Sequence, residues 1–360
     1  MDGITLAAVR WELDRQVKGA KLERVQQPER DTLMLAFRGN RRLLLSINPS
    51  AQRVQLTKTA MENPMQPPMF CMLLRKVLQG GQLLGIEQPH FDRILHLQFS
   101  AYDEMGESCR YTLVVEIMGK HSNLILLRAD GKIVDSILRV TPAMSSVRTV
   151  LPGGDYLPPP PQEKLDPRNC TTAEGILAAL NGSTGDLGKL IGRHWSGISP
   201  GFAREIALIC GPEGLRWEEA AEEQRQSAAE RLGEVFTHFR DGEFCPTLVK
   251  NEKGETIAFY PFDPPGYGQA YKIYYDSMSE ALDNYYQQRE TSTRLHQMRH
   301  SLNRILQQHI DRLYKRQSIQ TDILTETDAM ERNRLYGELL TANAYRLEKG
   351  MPMANLENYY

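Results

Sequence analysis

The sequence predicts an α+β fold over roughly its first half, then a helical segment, then one long helix. Three observations carry this. Between residues 33 and 138, short apolar or alternating runs recur, punctuated by Gly39-Asn40, Gly80-Gly81 and Asp130-Gly131, and such runs between turn residues are the signature of antiparallel strands. The run YLPPPPQ at 156–162 is a stiff extended segment and the clearest boundary in the chain. Beyond it, Leu295, Met298, Leu302, Ile305, Leu306, Ile310 and Leu313 recur at three- and four-residue intervals among Arg, Gln and His, as one arm of a coiled coil does.

Taken in order, a first helix fits residues 4–18, with Ile4, Ala8, Trp11 and Val17 on one side, Glu12, Asp14 and Arg15 on the other, and Gly19 closing it. Strands are expected at 33–38, 42–47 and 53–57. The prolines of NPMQPPMF keep that segment out of a helix, so a short helix is expected only at 70–79, stopped by Gly80-Gly81. Further strands at 83–87, 93–99, 111–117, 123–127 and 132–138 complete a mostly antiparallel sheet. Residues 171–240 read as helical, and 244–262 as a hairpin turning at Lys253-Gly254 and packing back on the first sheet. A lone amphipathic arm over 278–347 has nothing to bury its stripe against. Its partner is therefore expected beyond residue 360 or from another chain.

Composition sets outer limits. At 41% hydrophobic and 24% charged the 360 residues are ordinary for a globular protein. No stretch approaches the ~20 apolar residues of a membrane span, and the start, MDGITLAAVRWELDRQ, is amphipathic and carries acids, unlike a secretory signal. A cytoplasmic location is expected, without a membrane partner. Cys71, Cys109, Cys170, Cys210 and Cys245 are scattered and form no CxxC, so buried reduced thiols are expected rather than a zinc or disulfide framework. The net charge of −2 is uneven: residues 1–150 hold 20 Lys and Arg against 15 Asp and Glu, and that basic half is where an anionic partner would dock.

No Walker A loop, GxGxxG after a strand or HExxH is present. His296 and His300 stand four apart on the long helix but lack a third ligand, so a solvated face is the better reading. Asp103-Glu104 beside Gly106 reads as a turn. Recognition chemistry fits better. Arg93 offers a fork of donors suited to phosphate or a base edge, and Asp92 can hold that fork or accept from a base amine. Gly119 clears space for an approaching backbone beside the donors Lys120, His121 and Asn123. On pattern alone Asp92-Arg93 is equally a strand-entry ion pair, and EIMGKHSN equally a tight reversal. The turn GISPG at 197–201 opens a helix and is either a phosphate-facing hairpin or a plain turn between packed helices.

MDGITL at the start, NPMQPPMFCMLLRKVLQGG, the Asp92-Arg93 pair, VEIMGKHSNLIL, LPGGDYLPPP and YGELLTAN at 336–343 run in order across nearly the whole chain. Together they resemble the NFACT family, in its bacterial ribosome quality-control branch. The resemblance implies an NFACT-N domain at 1–170, similar to the N-terminal domain of formamidopyrimidine-DNA glycosylases. It further implies a helix-hairpin-helix domain at 171–240, a β-hairpin returning to the NFACT-N sheet at 241–275, and the first part of a coiled-coil middle domain at 276–360. The return arm and a C-terminal RNA-binding domain of the family would lie outside these residues.

Such proteins bind the large ribosomal subunit obstructed by peptidyl-tRNA and recruit a tRNA, in bacteria alanyl-tRNA, for a template-free C-terminal alanine tail. The chemistry belongs to the ribosome, so a recruiting factor is implied, not an enzyme, with no cofactor and no metal. Carried over, the tRNA-facing residues are Asp92, Arg93, Glu116, Met118, Gly119, Lys120, His121 and Asn123, and the candidate phosphate-facing hairpin is Gly197 and Gly201. Lys120 stands where arginine is frequent and lacks the bidentate fork. The alternatives are a fibronectin-binding surface adhesin, the older label in this branch, and a DNA glycosylase. Glycosylases use an N-terminal proline followed by an acid, whereas this chain starts Met1-Asp2-Gly3.

Overall fold

Helix α1 (Gly3–Gln16) starts where Asp2, in extended backbone, accepts the Thr5 N–H at 3.1 Å and so satisfies one of the orphan donors of the first turn. The expected one-sided helix is instead buried around its whole first half, Gly3 to Val9. The reason is that it separates two cores: Leu6, Ala8, Val9, Leu13 and Val17 face one, Ile4 and Ala7 the other. Over that half the helix is a shared wall with no polar face to show. Trp11 is only half-buried, between the guanidinium groups of Arg10 and Arg15 at 5.4 and 5.5 Å.

The structure is a computed structural model describing residues 1–102, 106–160 and 162–359, with the side chains of 290–301 outside the description. Asp103-Glu104 and the side chains of Leu295, His296, Met298 and His300 therefore lie outside the described residues. Two compact units are present, Met1–Gln288 and Arg289–Tyr360.

In the first unit, β1 (Leu22–Glu29), β2 (Thr32–Phe37), β3 (Arg41–Ser46) and β4 (Arg53–Thr57) form an antiparallel sheet in that order. Sequence reasoning missed β1. Its residues LERVQQPE are mostly polar and contain Pro28, which only an edge strand tolerates, and β1 is that edge. Helix α2 (Met69–Leu78) buries Phe70, Cys71, Leu74 and Leu78 and gives way to Gly80 at φ +91. A second antiparallel sheet follows, in chain order: β5 (Gln82–Glu87), β6 (Ile94–Tyr102), β7 (Ser108–Glu116), β8 (Asn123–Arg128) and β9 (Ile133–Ser136). Leu35 and Phe37 of the first sheet share a core with Leu97 and Phe99 of the second, and the Phe37 and Phe99 rings lie 6.4 Å apart and nearly parallel. Each fully buried Leu or Phe in it is worth about 1.5–3 kcal/mol.

Helices α3 (Ala173–Ala179), α4 (Leu187–His194), α5 (Pro200–Cys210) and α6 (Glu222–Asp241) enclose the other core around Trp195 and Phe236, which Phe91 enters from the second sheet's edge. The expected hairpin forms as β10 (Thr247–Lys250) and β11 (Thr256–Tyr260), with Gly254 at φ +78 in its turn. It extends neither large sheet. A further strand, β12 (Lys272–Tyr274), joins it in a sheet of its own, ordered β11-β10-β12. Leu248 reaches the first core and Val249 the helical one, because successive strand residues face opposite ways.

Helix α7 (Met278–Ala342) is the long helix. Its first turns belong to the first unit: Met278, Ala281, Leu282, Tyr285 and Tyr286 are core residues, and the Glu12 carboxylate accepts the N–H groups of Met278 and Ser279. In the second unit Leu302, Ile305, Leu306, Ile310 and Leu313 are exposed, and that unit contains no other α-helix among the described residues.

All five cysteines are free; Cys71 and Cys210 are buried, Cys109 and Cys170 half-buried, and Cys245, against expectation, is exposed. Among the described residues no group of three or more His, Cys, Asp or Glu could hold a metal, and no helix is long and apolar enough to cross a membrane.

Candidate nucleic-acid interface

The antiparallel register pairs Ile94 with Glu116, and the Ile117 N–H donates to the Arg93 carbonyl at 2.9 Å. Asp92-Arg93 thus lies beside Ile117-Met118, and the two polar interruptions meet at one end of β6 and β7. Pairing of Glu116 with Asn123 then makes residues 117–122 the reversal into β8. Gly119 sits at φ +62, a conformation that disfavours any side chain. Ser122 fastens the reversal: its hydroxyl accepts the Met118 N–H and donates to the Gly119 carbonyl, both at 2.8 Å. Gln52, from the turn before β4, accepts the Gly119 N–H at 3.0 Å. Lys120 and His121 are left exposed at the tip, with Met118 half-buried below.

Asp92 accepts its neighbour's backbone N–H, Arg93, at 2.7 Å, while the two side chains approach only to 4.0 Å, both partly exposed. Among the described residues the Arg93 guanidinium makes no hydrogen bond to another side chain. An unclamped fork in this place can accept a phosphate or a base edge. Nearby, burial lowers the pKa of the Met1 amine, and Arg93's charge lowers it further; burial raises that of Asp2.

Two of the sequence-derived site residues are not at the surface. Glu116 has no exposed area and is gripped by Arg148, whose Nη1 donates to Oε1 at 2.7 Å and whose Nη2 donates to Oε2, while the Tyr156 hydroxyl donates to Oε1 at 2.9 Å. Burial, and then Glu116 itself, pushes the Tyr156 phenol pKa up. His96 lies edge-on to Tyr156, and burial pulls its pKa down. Asn123, also buried, donates to the Leu138 carbonyl at 2.8 Å and accepts the Leu138 N–H at 3.1 Å. Glu116 and Asn123 support the site from beneath. Gln52, Arg148 and Tyr156 were missed by sequence reasoning, and Ser122, a turn residue inside the motif, was read as part of the reversal without a role of its own.

Gly197 and Gly201 lie apart from one another in role. Gly197, at φ +74, accepts the Ile4 N–H at 3.2 Å through its carbonyl, and a Cβ there would stand 2.2 Å from the Phe91 carbonyl oxygen. Gly201 is exposed in the first turn of α5, behind Pro200 and the cap Ser199, with open space around it. The charge excess of the first 150 residues is mostly elsewhere: Lys21, Arg24, Arg38, Arg41 and Lys58 are exposed on or beside β1–β4.

Residues 2–360 match the family described as NFACT N-terminal and middle domains. The Rqc2 homolog RqcH of Bacillus subtilis is 35% identical over 365 residues, covering 100% of this chain and 61% of that protein. The N-terminal part of the fibronectin/fibrinogen-binding protein from Streptococcus suis superposes at a TM-score of 0.67 with 30% identity, covering 80% of this chain and 99% of that one. The fibrinogen binding protein from Staphylococcus aureus does so at 0.65 with 29% identity, covering 79% and 98%. This chain thus spans about three fifths of the length of that relative. The chain belongs to the NFACT family.

Proposed function

We propose that this chain is the N-terminal and middle part of a cytoplasmic ribosome quality-control factor. It binds large ribosomal subunits that still carry peptidyl-tRNA and recruits a tRNA, alanyl-tRNA, for template-free alanine tailing. It recruits and does not catalyse. In this reading residues 171–240 are a helix-hairpin-helix domain and the arm from 276 is half of a coiled coil that reaches the ribosome. Arg93, Asp92, Met118, Gly119, Lys120 and His121 face the tRNA, while Glu116 and Asn123 hold them in place.

The observation that supports this most is the meeting of Asp92-Arg93 with the exposed 118–121 turn at one strand end. It sets Arg93 on the strand beside the turn that exposes Lys120 and His121 next to Gly119. Membership of the family adds to it. The test is to sequence RNA that copurifies with the protein, with and without Arg93→Ala. Enrichment of tRNA, lost in the variant, is expected; equal recovery of all RNAs in both would overturn the reading. Strand nicking of oxidised DNA by the purified chain would overturn the assignment as a non-enzyme.

A second reading is fibronectin binding at the cell surface; the name of the solved neighbour from Streptococcus suis mentions fibronectin, which raises this reading without setting it above the first. Immunoblots of intact against lysed cells separate the two. The recruiting factor is found only after lysis.

A further inference from the structure

The two residues just before Asp92 have an unusual backbone. His90 (φ 50) and Phe91 (φ 56) are both left-handed, although each carries a side chain and Phe91 is fully buried. Consecutive residues of this kind are strained and persist only where their surroundings impose the conformation.

Those surroundings come from four distant parts of the chain. The Phe91 carbonyl is so close to the start of α1 that a Cβ on Gly3 would stand 2.3 Å from its oxygen and 2.5 Å from the Gly197 Cα. A Cβ on Gly197 would stand 2.2 Å from the same oxygen. Three backbones therefore meet with no room for a methyl group. Ser196 donates its hydroxyl proton to the His90 carbonyl at 2.7 Å. Gln88 bridges Gly3 and Asp92 by donating to both carbonyls, at 2.8 and 2.9 Å. The Arg168 guanidinium lies 5.2 Å from the Phe91 ring centre, and that ring stacks on Phe239 of α6. Asp92 and Arg93 follow at once, where β6 begins.

We propose that this joint of Gly3, Ser196 and Gly197 around His90-Phe91 is the positioning device for Arg93, so that the turn at 196–201 acts on RNA through Arg93 and not through a phosphate contact of its own at Gly197. The proposal rests on the reading that Arg93 meets tRNA. Its physical basis is geometric. A guanidinium at the end of a strand is aimed by the backbone entering that strand, and here the entry is held in a conformation it would leave if the joint were loosened. A plain packing role for Gly197 would explain the tight contact but not why two strained residues sit between it and the arginine.

The test is a double-mutant cycle on the full chain, measuring affinity for a tRNA transcript and the melting temperature of each variant. Ser196→Ala and Gly197→Ala are each combined with Arg93→Ala, because two residues that act through one contact do not add. Arg93→Ala is expected to weaken binding by about tenfold, the scale of one lost arginine contact. Gly197→Ala is expected to weaken it comparably and Ser196→Ala by about half as much on a logarithmic scale, with neither adding to the loss in the Arg93→Ala background. Ser196→Ala removes a hydroxyl and adds no atoms, so it carries the cycle if Gly197→Ala fails to fold. Losses that multiply in the double variants would overturn the proposal and assign the turn a contact of its own. Undiminished affinity of Ser196→Ala and Gly197→Ala would overturn it too. Unchanged affinity of Arg93→Ala would overturn the functional reading, and the proposal with it.

Discussion

At the scale of single residues, polar groups in one motif divide into those that face outward and those that are consumed by the fold. Arg93 and Asp92 pair loosely at 4.0 Å at a partly exposed strand end, and such a pair is worth only about 0–1 kcal/mol. Arg93→Ala should therefore melt within a few degrees of the parent while binding tRNA about tenfold more weakly. Glu116 and Arg148 are the opposite case. Replacing Arg148 by Ala leaves a buried carboxylate without its partner, which costs about 3–5 kcal/mol; chemical denaturation should show it, and a stability equal to the parent would contradict the buried pair. The division was not legible in the sequence. Gly119, Ser122 and Asn123 announce a reversal by residue type, but Glu116 owes its burial to Arg148 and Tyr156, 32 and 40 residues away, and no local pattern records such a contact. Asp2 adds a dependence on pH. Burial raises its pKa in the folded state, so its contribution is most favourable below the unfolded value of about 3.9 and is lost as pH rises through the folded value. Asp2→Asn keeps an acceptor for the Thr5 N–H and removes the charge. Its melting temperature should exceed the parent's by a margin that grows as pH is raised from about 4 to 7; a margin that shrinks over this range would contradict the sign.

At the scale of elements, periodicity found the long strands and helices because their apolar spacing matches the geometry of each. It failed where burial was two-sided or slight. Helix α1 looked amphipathic, yet it is a wall between two cores. Strand β1 looked like a loop, since an edge strand needs few apolar residues, and β12 is three residues long. The base of α7 has a practical consequence. Leu282, Tyr285 and Tyr286 are part of the first core, so a deletion that starts at residue 280 strips the globular unit and one that starts at 289 spares it. Removing 289–345 should leave the cooperative melting of residues 1–288 intact while abolishing cosedimentation with large ribosomal subunits. Removing 280–345 should lower the melting temperature as well. Cosedimentation that survives the shorter deletion would show that the arm does not reach the ribosome.

At the scale of the whole molecule, charge and site are separate. Positive charge is concentrated on and beside β1–β4, whereas the strand-end site contributes Arg93 and Lys120. Binding to tRNA should weaken with salt, with a log–log slope of about −0.7 to −0.9 for each phosphate neutralised, and Lys120→Ala should make that slope shallower by about one such step. Salt-independent binding would contradict an electrostatic interface. The central claim is that Asp92-Arg93 and the turn beside it recruit the tRNA used in tailing. It is tested most directly by mass spectrometry of a stalled reporter chain in cells whose own copy is replaced by the full-length protein carrying Arg93→Ala. The account predicts reporter chains without alanine tails from a protein that melts like the parent, and tails of normal length and abundance would contradict it.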